Sequence, residues 1–192
     1  LNQVLDLCRA LGHKELKELE AANIRLMGRV YSNLGSKQKA LESYNQALDL
    51  YRTLSDKEWE ATTLNNIGYV SSILGSKQKA VESYNQALDL YRTLGDKEEE
   101  ATTLNHIGRL YSLLGEKHKA LEFHNEALPL FRALDHKEGV VQTLNHLGLI
   151  YDDLGKKQKA IESYNQALAL VHMLDDKGWE AATLHNIGSL WD

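Results

Sequence analysis

The residues of this 192-residue sequence with the most chemistry to offer are its asparagines and its eight histidines, and their spacing is regular. Asn65, Asn66, Asn105, His106, Asn145, His146, His185 and Asn186 form two adjacent columns that return every 40 residues. A carboxamide both donates and accepts, so a column of them can pair with the backbone of an extended peptide. The competing reading is that these amides satisfy neighbouring helix ends or face water. His106 and His146 sit at equivalent positions and can approach each other, yet no third ligand follows either at i+3 or i+4, and Cys8 is far along the chain. No metal site is expected from that pattern. A Ser-His-acid set, a phosphate-binding glycine loop and an HExxH helix are all missing, so the chain reads as no enzyme and as needing no cofactor.

The elements that position those columns follow from the repeat. Gly28, Gly68, Gly108, Gly148 and Gly188 recur at the 40-residue period, as do Gly35, Gly75, Gly115 and Gly155. Each unit divides into two amphipathic stretches. In the first, helix A, Leu64, Ile67, Gly68 and Ser71 stand at i, i+3, i+4 and i+7; in the second, helix B, Ala80, Tyr84, Ala87, Leu88 and Tyr91 share one face. Asp56, Asp96 and Asp176 are placed to cap helix A, and Gly75, Gly115 and Gly155 to end it in the left-handed conformation. The turn between A and B is then short, and the two helices pack antiparallel. Gly68 and its equivalents allow helix B a close approach, and the tyrosines at helical spacing, Tyr44, Tyr51, Tyr84 and Tyr91, read as packing between helices. A propeller, which shares the period and the Trp191-Asp192 dipeptide, is excluded because each unit is rich in Ala, Leu, Glu, Lys and Gln at helical spacing.

The order of signature residues, Leu104, Ile107, Gly108, Tyr111, Ala120, His124 and Ala127, resembles the tetratricopeptide repeat, with Tyr44, Tyr84 and Tyr164 filling the position of His124 in the other units. The unit is longer than the usual length of about 34 residues and lacks the proline that closes helix B. In this it is similar to the long-helix arrays of kinesin light chain, Pins-type adaptors and bacterial CHAT-associated proteins. The resemblance implies an all-α, right-handed solenoid of antiparallel helix hairpins, a single array over residues 1–192 of about 4.5 to 5 repeats. It also implies a concave groove lined by helix A residues at the positions of Thr62, Asn65, Asn66, Tyr69, Ser72 and Ile73, binding an extended or helical segment of a protein partner. Arg25, Arg29 and Arg109 are the groove cations, and Asp152, Asp153 and Asp192 make its later end acidic, so a peptide of matching charge asymmetry is expected.

Two irregularities stand out. Asn2–Leu7 matches Asn45–Leu50, so the sequence opens in a helix B, and the first junction carries three extra residues that predict an irregular turn. Pro129, late in the third helix B, predicts a kink or an early end. The array starts in a helix B and stops after a helix A, as an excerpt of a longer protein would, and its uncapped ends favour end-to-end self-association by stacking or swapping. A purely structural array, or the sensory arm of a larger signalling protein, are the alternatives to a peptide scaffold. The formal charge of −5 gives no field for nucleic acid, and the lysines at each helix B start (Lys37, Lys39, Lys77, Lys79, Lys117, Lys119, Lys156, Lys157, Lys159) lack interleaved aromatic platforms and read as a solvated ridge. No membrane-length apolar run and no signal-peptide pattern occur, and a lone cysteine suits a reducing, cytoplasmic setting.

Overall fold

A computed structural model describes residues 2–191, with side chains from Gly12 onward. Among them, helices follow one another with only short turns between: α1 (Asn2–Asn33), α2 (Lys37–Leu54), α3 (Lys57–Ile73), α4 (Lys77–Leu94), α5 (Lys97–Leu113), α6 (Lys117–Ala133), α7 (Lys137–Asp153), α8 (Lys157–Leu174) and α9 (Lys177–Gly188), then a 3-10 turn at Ser189–Trp191. The protein is an all-α repeat solenoid, with no strand among the described residues. It divides into two compact units, Leu1–Gly95 and Asp96–Asp192.

Local chemistry sets the helix limits. Asp56, Asp96 and Asp176 each accept a hydrogen bond from a backbone N–H in the first turn of helix A, and His136 does the same through Nδ1 toward Gly139. Each satisfies a donor that the helix leaves unpaired. Replacing Asp96 with alanine is expected to cost about 1 kcal/mol, seen as a lower urea midpoint with an unchanged m-value. At the far ends Gly75, Gly115 and Gly155 take φ of +76°, +78° and +69°. The helix B ends need the same conformation, met by Gly95 but by non-glycine residues at Ser55, Asp135 and Asp175.

The core sits between helices of a hairpin and between adjoining hairpins. In the first unit Leu41, Tyr44, Leu48, Leu64, Ile67 and Val70 form one buried cluster. Glycine and ring interlock at every hairpin: a Cβ on Gly68 would lie 2.7 Å from the Tyr84 ring, and one on Gly108 would lie 2.8 Å from the His124 ring.

One expectation from the sequence fails here, and another is met only by a single residue. The first junction is no turn, because α1 runs unbroken from Asn2 to Asn33. At the later junctions a left-handed residue is followed by a capping Asp or His. Here Gly12-His13 is followed by Lys14-Glu15-Leu16-Lys17-Glu18-Leu19, strong helix formers with a Lys14–Glu18 ion pair at 3.6 Å, and the extra residues extend the helix. Pro129 does not break α6, which continues through it to Ala133 and ends one residue short of its 18-residue counterparts. Packing of Phe131 and Ala127 into the core holds the helix past the lost hydrogen bond.

Candidate functional site

The A helices α5, α7 and α9 of the second unit carry the columns singled out above, and the two columns have different fates. Asn105 and Asn145 are only 4% and 5% exposed. Asn105 Nδ2 donates to Gln142 Oε1 at 3.0 Å, tying α5 to α7, while its Oδ1 accepts from His124 Nδ1 at 2.6 Å on α6. Asn145 Nδ2 donates to Val141 O and to Thr183 Oγ1, both at 3.1 Å, tying α7 to α9. Asn105 is engaged through both its nitrogen and its oxygen, and Asn145 through its nitrogen while its Oδ1 is buried without a hydrogen-bond partner, so neither amide stands open on a surface to pair with a peptide backbone. Asn65, their counterpart on α3, is half-buried and engaged as well.

The neighbouring column stays nearer the surface. His106 and His146 are half-buried beside Arg109, and the His146 ring lies 5.1 Å from that of fully buried His124. A pocket of about 220 Å³ opens here, lined by Arg109, Ser112, Leu113, His124, His146 and Leu149, with Leu113 and Leu149 exposed. Burial holds the imidazoles neutral. Loss of solvent, then the Arg109 charge, brings His106 and His146 down to about 4, and loss of solvent, then His146, brings His124 to about 3. With Asn105 accepting from Nδ1, His124 carries its proton there and keeps Nε2 bare. The site at neutral pH is therefore one guanidinium among neutral rings and exposed leucines. On α9, His185 is exposed and Asn186 half-buried.

In the first unit the expected cations are divided. Arg25 is committed: its guanidinium stacks on Trp59 at 4.1 Å and its Nε donates to Tyr51 Oη at 3.4 Å. Arg29 is exposed, as is Tyr69, with Asn66 half-buried. Of the acidic end, Asp153 pairs with Lys117, Asp152 is half-buried, and Asp192 lies outside the described residues.

The lysine ridge also has occupations. Lys37 donates to Ser32 O at 2.8 Å, Lys157 to Leu190 O at 2.6 Å, and Lys39, Lys119 and Lys159 sit over Tyr31, Tyr111 and Tyr151. Lys37, Lys39, Lys119 and Lys159 serve the end of the preceding helix A, capping a carbonyl or covering its tyrosine, while Lys117 and Lys157 reach the end of the following one. Among the described residues no group of three or more His, Cys, Asp or Glu is placed to hold a metal ion, and no helix is long and apolar enough to cross a membrane.

Sequence reasoning assigned His124 to the aromatic packing position and passed over Leu113 and Leu149. The signal was present. A histidine stands where three other units have tyrosine, and it is opposite the one pair of A helices that also carries His106 and His146.

The tetratricopeptide repeat model matches residues 19–93, 59–133 and 100–171 in overlapping windows. The chain belongs to the tetratricopeptide repeat family. Solved structures of the same fold include BtubC from P. vanneervenii, 24% identical over 83% of this chain and 66% of that one, with a TM-score of 0.78. A Rap protein complexed with Competence and Sporulation Factor is 19% identical over 90% of this chain and 52% of that one, TM-score 0.78. The STAND protein PH0952 from Pyrococcus horikoshii, with a tetratricopeptide repeat sensor, is 19% identical over 89% of this chain and 27% of that one, TM-score 0.82. This repeat array thus spans less than two thirds of the length of each of these three proteins. No curated protein sequence matches.

Proposed function

We propose that this repeat array is a non-catalytic interaction scaffold that holds a peptide segment of a protein partner against the A helices, centred in the second unit on Arg109. The observation that carries the reading is the Arg109 pocket itself. A buried core has no use for exposed Leu113 and Leu149 around a guanidinium and neutral imidazoles, whereas a peptide has an apolar side chain for the first and a carbonyl or carboxylate for the second. His106, His146, His185 and Asn186 add polar groups along the same run of helices, and Arg29, Asn66 and Tyr69 hold equivalent repeat positions in the first unit, taken by itself. Asn105 and Asn145 serve by fixing the helices that present these groups. The Rap protein complexed with Competence and Sporulation Factor and the STAND protein with a tetratricopeptide repeat sensor, relatives in fold, support a holding or sensing role.

The test begins with peptides selected on the intact chain from a random display library and measured by calorimetry. Arg109→Ala and Leu149→Glu are each expected to weaken a selected peptide about tenfold or more, a loss of about 1.4 kcal/mol or more, with unchanged far-UV circular dichroism. Lys77→Ala, on the outer edge, is the expected neutral control. Peptides that bind both pocket variants with full affinity would place the working surface elsewhere.

A further inference from the structure

Near the start of its A helices the repeat places a glutamate: Glu60 on α3, Glu100 on α5 and Glu180 on α9. Each accepts from the lysine one turn before it, Lys57, Lys97 and Lys177, at 2.7, 2.7 and 3.0 Å. In the first unit Glu60 also accepts from Arg52 Nε at 3.0 Å, and Arg52 Nη2 donates onward to Gln86 Oε1 at 3.1 Å. His172 stands at the arginine's repeat position and lies 3.2 Å from Glu180. One carboxylate thus gathers two basic groups, one from the helix B before it and one from its own first turn.

α7 departs from this pattern. Val140 occupies the glutamate position, yet both cations remain, as Arg132 and Lys137. Arg132 Nη2 still donates to Gln166 Oε1, at 2.9 Å, so its guanidinium keeps the hold seen at Arg52. No carboxylate among the described residues pairs with Arg132 or Lys137. A second acid is gone as well, since Ala169 stands where the first unit has Asp89. Asp135, exposed, replaces Ser55 and is the one carboxylate beside the two cations. Next to them lies a cavity of about 380 Å³ whose apolar lining is Phe131, Val140, Leu144, Ala169 and Leu170. Phe131, Val140 and Leu144 belong to the core.

We propose that this cavity binds a small organic acid whose carboxylate takes the position that Glu60 holds in the first unit. One oxygen accepts from Arg132 Nε and the other from Lys137 Nζ, as the two oxygens of Glu60 accept from Arg52 and Lys57. The rest of the ligand is apolar, because an acid without such a body would leave the lining of Phe131, Val140 and Leu144 facing water. The volume is that of a small-molecule pocket, lined mostly by apolar side chains with a few polar groups to fix orientation. None of these residues lines the Arg109 pocket, so the site and the peptide reading stand or fall separately.

Octanoate and phenylbutyrate are the probes, titrated into the isotope-labelled chain and followed by the NMR shifts of its backbone amides. Saturable shifts are expected in residues 131–144 and 166–170, with a dissociation constant of about 1 mM or below. Octanamide, which has the same body without the charge, is expected to bind about tenfold more weakly or worse. Val140→Glu restores the carboxylate of the other units and is expected to abolish acid binding with helicity unchanged. At the exposed position of Arg132, Arg132→Gln is expected to weaken the acid about tenfold or more, and Asp135→Asn to strengthen it about twofold. Probes that leave these amides unshifted up to their solubility limit would overturn the proposal. So would octanamide binding as tightly as octanoate, acid binding undiminished in Arg132→Gln, or inorganic phosphate shifting the same amides equally, which would make charge alone the attraction.

Discussion

Leucine in place of Gly148 is expected to cost about 3–5 kcal/mol, enough to unfold much of the Asp96–Asp192 unit. A Cβ at this position would lie 2.4 Å from Cε1, 2.6 Å from Cζ and 2.7 Å from Cδ1 of Tyr164, a ring that is itself fully buried. Three ring atoms inside van der Waals contact leave no rotamer of the tyrosine that relieves the clash without moving α8 away from α7. Leucine adds three more carbons to that conflict. Even alanine, which gains about 1 kcal/mol of helix propensity over glycine, is expected to be net destabilising here. Gly188 supplies the control: it occupies the same repeat position, but a Cβ there meets nothing within 4 Å. Gly188→Ala is expected to be neutral or stabilising by up to about 1 kcal/mol. Urea midpoints of the two alanine variants decide the matter, since equal shifts would mean that propensity, not close approach, explains the glycine period.

That contrast also marks what the sequence could reveal. The glycine period, the aspartate caps and the tyrosine positions were legible because each reflects a requirement met within one hairpin: a close approach, an unpaired N–H, a ring to fill the gap. The fate of the two polar columns was not. Asn105 and His106 are consecutive on α5, about 100° apart around the helix, and recurrence alone does not say which of two adjacent columns faces the next helix A. The answer lies in Gln142 and Thr183, the partners across the hairpin stack, which lie on different helices. The first junction misled for a similar reason. Its helix B pattern is real, but the helix-forming run after His13 outweighs the register that would turn the chain back.

The imidazoles behind the Arg109 pocket are expected to make the second unit acid-labile. His106, His124 and His146 sit at about 4, 3 and 4 in the folded chain, against about 6.5 when unfolded. A folded pKa below the unfolded value means that the unfolded chain binds more protons once the pH falls under 6.5. Stability is then full above that point, declines between about pH 6.5 and 4, and levels off once the folded-state histidines titrate too. At pH 5.5 each histidine costs about 1.4 kcal/mol, so the three together remove about 4 kcal/mol relative to pH 8. The groups that face them are Arg109 on α5 and one another across α5, α6 and α7, and none is a carboxylate that would stabilise the protonated rings. Urea unfolding across this range is expected to show an uptake of about three protons, falling to about two in His124→Tyr, which installs the residue found at Tyr44, Tyr84 and Tyr164. Hydrogen exchange at pH 5.5 is expected to lose protection in α5–α8 before α2 and α3, because none of the three lies in the first unit. Stability that stays flat from pH 7 to 5 would show that these rings are hydrated in solution and that the pocket is open enough to hold them charged.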